Sequence, residues 1–140
     1  MESKELTVVI VTFKSHEKII NCLKSISTNI PVIVVENSDN KDFKKKIENI
    51  STNINCILVG NNNGYSIANN IGLKSVKTKY ALILNPDTIL DKDAIKNFFL
   101  AKERVKDFWL IGPANDQIVN FDIKDDNLKE VNNLKGFAIF

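Results

Sequence analysis

The chain has 140 residues, 44% of them hydrophobic and 26% charged, proportions that suit one globular domain with a real core. Its 19 basic and 17 acidic residues leave a formal charge of +2, too small an excess for a nucleic-acid binder. No apolar run approaches the roughly 20 residues that span a bilayer, and the polar start Met1–Glu5 is no signal peptide.

The two cysteines, Cys22 and Cys56, lack the short C-x-x-C spacing of a zinc site. Each sits in an apolar pattern, which predicts buried free thiols in a reducing cytoplasm. Lys44-Lys45-Lys46 reads as a solvated helix face, with peripheral contact to anionic lipid at the inner face of the membrane as the alternative.

Leu6 to Phe13 (LTVVIVTF) is a β-branched run suited to a buried strand. Ser15 is placed to cap a helix carrying Ile19, Ile20, Leu23 and Ile26. Pro31 opens a second strand, Val32–Val35, which stops at the polar cluster Glu36-Asn37-Ser38-Asp39-Asn40. A short charged helix over Lys41–Ile50 and a strand at Cys56–Val59 come next. Gly60-Asn61-Asn62-Asn63-Gly64 is a loop of residues that tolerate positive φ. The following helix, Tyr65–Val76, turns Ile67, Ala68, Ile71 and Val76 inward, and Gly72 within it marks a close packing contact.

Tyr80–Leu84 is an apolar run suited to a strand buried on both faces. It ends at Asn85-Pro86-Asp87, where proline lacks an amide proton and biases Asn85 towards extended backbone. Asp91 or Asp93 caps a helix that buries Ala94, Ile95, Phe98 and Phe99. Phe108–Ile111 reads as another strand, with Trp109 in the core. Gln117–Ile123 and Leu134–Phe140 form a small antiparallel addition. His16 is the lone histidine and reads as solvated or as a local cap.

Strands alternating with helices predict an α/β fold: a mostly parallel sheet with helices on both faces. The carboxyl ends of its strands share one edge, where ligands bind in open α/β sheets. Thr12-Phe13, Glu36-Asn37-Ser38 and Asn85-Pro86-Asp87 all fall there, with Asn63-Gly64-Tyr65 opening the helix into the last strand. Hydroxyl, carboxylate and amide groups of this kind suit a nucleotide diphosphate, and a carboxylate on a stiff corner can hold Mg²⁺ together with phosphate oxygens.

Three motifs then carry a family resemblance. They are VVIVTF (Val8–Phe13), VIVVENSDN (Val32–Asn40), and NNNGYSIANNIGL (Asn61–Leu73) followed by YALILNPDT (Tyr80–Thr88). The chain resembles the N-terminal, donor-binding part of a GT-A glycosyltransferase of family 2, nearest the rhamnosyltransferase-like branch. The last pair matches the signature N-x-G-F-x-x-x-N-N-x-G…L-N-P-D-T. The resemblance implies one Rossmann-like GT-A domain over residues 1–140, cut short on its C-terminal side. It implies that Thr12 and Phe13 border the base, and that Glu36 stands where the family has the Asp that reads a base N–H. Asn63 and Gly64 would approach the nucleotide, and Asn69 and Asn70 the diphosphate from the inward face of their helix. Asp87 matches the last carboxylate of the family's D-x-D motif and would hold Mg²⁺ or Mn²⁺, while Asn85 replaces the first Asp.

The implied partners are a dTDP- or UDP-linked sugar donor and a glycan or lipid-linked acceptor. The implied reaction is inverting sugar transfer, which needs a cation at the departing diphosphate and a base at the acceptor hydroxyl. In the family that base lies beyond the segment matching Gly136–Phe140. Asp122, Asp125 and Asp126 do not resemble its motif, so this chain is expected to hold the donor half and to turn over poorly alone. A non-catalytic nucleotide-sugar-binding module is the alternative. A sugar nucleotidyltransferase would want a Gly-rich basic loop after the first strand, where only Lys14-Ser15-His16 stands. A dehydrogenase would want G-x-G-x-x-G there.

Overall fold

The computed structural model describes residues 4–105, 107–113 and 138–140. Its elements run β1 (Leu6–Thr12), α1 (Lys18–Ser25), β2 (Val32–Glu36), α2 (Lys41–Glu48), β3 (Ile54–Leu58), α3 (Tyr65–Lys74), β4 (Tyr80–Leu84), α4 (Ala94–Arg104) and β5 (Ala138–Ile139). The sheet order is β3-β2-β1-β4-β5. The first four strands are parallel, and β5 runs antiparallel to β4. The alternating α/β fold expected above is therefore present, with the antiparallel addition at its far edge.

Strand alternation divides the core into two layers. Leu6, Val8, Ile10, Val32, Val34, Leu82 and Leu84 pack against Ile19, Cys22 and Leu23 of α1, Phe43 and Ile47 of α2, and Phe98 and Phe99 of α4. On the other face Val11, Ile33 and Val35 pack against Ala68 of α3. Gly72 lets α3 sit close: a Cβ there would lie 2.5 Å from Val9 Cγ1 and 3.1 Å from Val35 Cγ2.

Several local expectations differ from what forms. Ser15 does not cap α1 through its side chain; its Oγ donates back to Phe13 O at 3.3 Å, while its carbonyl accepts Ile19 N–H. Neither aspartate caps α4 through its side chain, because Asp91 Oδ1 accepts Asp93 N–H at 3.1 Å in a local turn. Asn40 does cap α2, accepting Phe43 N–H at 2.9 Å. Ile67 is exposed, since the inward stripe of α3 runs through Ala68, Asn69 and Gly72, and Ile67 falls off it.

Phe108–Ile111 is no strand. Ile111 exchanges two backbone hydrogen bonds with Phe140, and Phe108 stacks on the Phe140 ring. Trp109 lies between these two inward residues and is 97% exposed rather than in the core. His16 stacks on Phe43 at 4.3 Å rather than standing in solvent or capping. Gln117–Ile123 and residues 134–137 of the final strand lie outside the described residues. Both cysteines are free and buried, as expected.

Candidate functional site

The chain moves outward from β1 to β2 to β3, then returns through α3 to β4 on the other side of β1. The β1/β4 boundary is thus the topological switch point, where the loops leaving neighbouring strands part and open a crevice. A cleft of about 300 Å³ lies there, lined by Val11, Phe13, Ser15, Asn37, Asn62, Tyr65, Asn85, Pro86 and Asp87. Register explains the grouping. Thr12 stands opposite Glu36, so β1 and β2 end level, while Leu84 stands opposite Ile10, so β4 ends two residues earlier and its Asn85-Pro86-Asp87 corner begins beside the end of β1.

The β4 corner supplies Asp87, which is exposed and makes no hydrogen bond or ion pair among the described residues. Its charge is felt beneath the cleft floor. Burial, and then the Asp87 carboxylate, push the Cys22 thiol up to about 12. That thiol donates to the Asn85 carbonyl at 3.6 Å. Asn85 Oδ1 accepts the Tyr65 hydroxyl at 3.1 Å, linking the corner to the first turn of α3.

The α3 wall is built around Gly64, whose φ of 82° favours glycine. Its N–H donates to Asn62 Oδ1 at 3.1 Å, and its carbonyl accepts Asn37 Nδ2 at 3.3 Å. Asn63 is half-buried beside it. Asn69 faces inward, with Nδ2 donating to Tyr65 O at 3.1 Å, whereas Asn70 is exposed on the outer side of the helix.

Thr12 and Glu36 share the strand-end edge but not the cleft lining. Glu36 continues the row of Val32 and Val34, on the α1/α2 side, and is 0% exposed. Its Oε1 accepts the Ser38 hydroxyl at 2.5 Å. Its charge helps raise the Cys56 thiol, which burial first pushes up to about 12. Asn37 continues the row of Ile33 and Val35 and so reaches the α3-side cleft. The sequence placed Asn37 and Tyr65 at this edge but assigned neither of them a contact with the nucleotide. Two-residue alternation past Val35 is the signal that points to Asn37; Tyr65 is betrayed only by its place at a glycine-capped helix start.

Thr12 Oγ1, Glu36 Oε2, Asn37 Oδ1 and Asn69 Oδ1 are buried with no partner among the described residues. Unsatisfied buried acceptors are costly, and a ligand or water that donates to them would relieve that cost. Among the described residues no three His, Cys, Asp or Glu side chains gather to hold a metal alone. One exposed carboxylate at a crevice fits a hard divalent cation only if diphosphate oxygens and water complete its shell.

The model of glycosyl transferase family 2 matches residues 7–132. The chain belongs to that family. Among family relatives, the low-salt glycan biosynthesis hexosyltransferase Agl10 of Haloferax volcanii is 31% identical over 99 residues, covering 68% of this chain and 32% of its own length. The chain thus spans about a third of that relative. Among solved structures, S. aureus TarS 1–349 superposes with a TM-score of 0.60 at 18% identity, over 71% of this chain and 32% of that one. Mannosyltransferase PcManGT from Pyrobaculum calidifontis, solved with GDP-Man and Mn²⁺, superposes with a TM-score of 0.57 at 16% identity, over 64% and 29%. These neighbours share the GT-A fold of the family 2 chain. The matches do not separate the rhamnosyltransferase-like branch from the rest of the family.

Proposed function

We propose that this family 2 chain binds a UDP- or dTDP-linked sugar in the switch-point cleft, through Mg²⁺ or Mn²⁺ held by Asp87. The sugar, a hexose or deoxyhexose, passes with inversion to a hydroxyl of a glycan or lipid-linked acceptor. The observation that carries this reading is the position of Asp87: a carboxylate with no hydrogen-bond or ion-pair partner among the described residues, at the β1/β4 switch point of a family 2 fold. TarS solved with UDP, PcManGT solved with GDP-Man and Mn²⁺, and the hexosyltransferase Agl10 support the donor class.

The nucleoside end lies towards Phe13, and the diphosphate towards Asn63, Gly64 and Asn85; Thr12 and Glu36, buried off the cleft lining, and Asn70, on the outer side of α3, stand away from this path. The acceptor oxygen bonds to the anomeric carbon as its bond to the diphosphate breaks, and the acceptor proton goes to a base on the opposite face. Asp87 would hold the cation, whose chemistry would be to neutralise charge on the leaving diphosphate. Asp87 is the one carboxylate lining the cleft among the described residues, and a cation ligand cannot also serve as that base. On this reading the base belongs to a part of the enzyme outside the described residues, and without that part sugar transfer is expected to be poor. The same observation favours a second reading, a donor-binding module without turnover. We propose a cytoplasmic setting for either reading, in which exposed Lys45 and Lys46 on α2 would offer a contact to an anionic inner membrane face.

Calorimetry with UDP- and dTDP-linked sugars, with Mn²⁺ or Mg²⁺ and with chelator, tests the proposal. Asp87→Ala or chelation is expected to weaken donor binding at least about tenfold, the loss of one charge-assisted contact at a cation. Equal affinity in all four states removes the cation assignment. Robust acceptor-dependent transfer by this chain alone removes the claim about the base.

A further inference from the structure

Asn85 is held at both of its oxygens. Its side-chain Oδ1 accepts the Tyr65 phenol at 3.1 Å, and its backbone carbonyl accepts the Cys22 thiol at 3.6 Å. The first of these bonds crosses from the opening turn of α3 to the corner after β4, and both residues line the cleft. A carboxamide whose oxygen is engaged offers its N–H₂ group to anything else nearby. An aspartate here would present oxygens to a cation; Asn85, held this way, presents donors instead. The hydroxyl makes the difference, because a phenylalanine ring would wall the cleft equally well. The resemblance signature has Phe at this point, where this chain carries a phenol.

We propose that Tyr65 is a positioning residue. It turns the Asn85 amide so that its N–H group meets oxygens of the bound nucleotide diphosphate, and it leaves the cation to Asp87 alone among the side chains of the cleft. This rests on the donor-binding reading above. Tyr65 is 46% exposed, so removing its hydroxyl opens no buried hole.

The test titrates UDP, then dTDP, into the native chain, Tyr65→Phe, Asn85→Ala and the double variant, each with Mn²⁺ and with chelator. Tyr65→Phe should weaken nucleotide binding about fivefold in both conditions, the effect of one lost hydrogen bond. Because Tyr65 acts through Asn85, the double variant should bind no worse than Asn85→Ala. The Mn²⁺ affinity of the UDP complex should not change in Tyr65→Phe. Additive losses, or tighter Mn²⁺ binding in Tyr65→Phe, overturn the proposal, since Asn85 would then be a cation ligand restrained by the phenol. The Asn85 side-chain amide resonances are followed in the same samples. Their movement to free-amide positions in Tyr65→Phe upholds the positioning role, and unchanged resonances defeat it. If neither nucleotide binds the native chain, the donor reading fails, and those resonances still decide whether Tyr65 sets the Asn85 amide.

Discussion

Asp87 and Cys22 are coupled through the β4 corner, one on the cleft and one beneath it. Both thiols of the chain titrate near 12, against an ordinary 9.0, chiefly because burial disfavours the thiolate. The sign follows from proton counts. Between about 9 and about 12 the unfolded chain has lost thiol protons that the folded chain keeps, so stability falls as pH rises through that window. Below it the two states bind these protons equally. Denaturation in urea at stepped pH should show this loss above pH 9, reduced when Cys56 is replaced by Ala. Asp87→Asn removes the carboxylate that adds to the Cys22 shift. The Cys22 thiolate, followed by its ultraviolet absorbance, should then appear at lower pH while Cys56 holds its place. Coincident movement of both thiols, or of neither, contradicts the coupling. Site chemistry of this kind is only partly legible in a sequence. Asp87 announced itself because a proline corner after an apolar run is a local pattern. The partition of Glu36 and Asn37 between opposite faces depends on strand direction at its last residue, which sheet packing decides. The Tyr65–Asn85 bond joins residues 20 apart and leaves no local trace.

At the scale of elements, Gly72 sets how closely α3 approaches the sheet and hence where the α3 wall of the cleft stands. Ala is the better helix former by about 1 kcal/mol, which on an exposed helix would stabilise. Here its Cβ would meet Val9 Cγ1 at 2.5 Å, and overpacking of that sort costs about 1–3 kcal/mol. Gly72→Ala is therefore expected to lower the urea stability by up to about 2 kcal/mol. In a Val9→Ala background, the same substitution should be neutral or stabilising. A stabilised single variant would show that α3 sits farther from the sheet. The outer edge of β3 is guarded differently. Glu48 of α2 accepts Cys56 N–H at 2.8 Å and Lys44 Nζ at 2.7 Å, and Lys44 also donates to Cys56 O. These bonds occupy edge groups that would otherwise be open to pairing with another chain. The buried runs of β1 and β2 were plain from their apolar residues alone, whereas β4, expected to be buried on both faces, buries only Leu82 and Leu84 and leaves Tyr80, Ala81 and Ile83 half-buried. Trp109 was not, because an apolar run says nothing of which members turn inward when the backbone forms no regular strand.

Across the molecule, one topological event positions everything at the cleft: the reversal of strand order between β1 and β4. It brings the ends of two strands and the start of α3 together, though they are far apart in the chain. The alternation of strand and helix foretold a parallel sheet, and the spacing of Asn61–Leu73 and Tyr80–Thr88 foretold the family. The reversal itself could be inferred only through that resemblance, since no single segment encodes strand order. The central claim is that this reversal builds a nucleotide-diphosphate site whose cation rests on Asp87. Crystals of the chain grown with Mn²⁺ and UDP, measured for anomalous scattering, test it most directly. The expected result is a manganese peak about 2 Å from an Asp87 carboxylate oxygen, bridging to the diphosphate between β1 and β4. Nucleotide bound elsewhere, or manganese bound with Asp87 turned away from it, would contradict the claim.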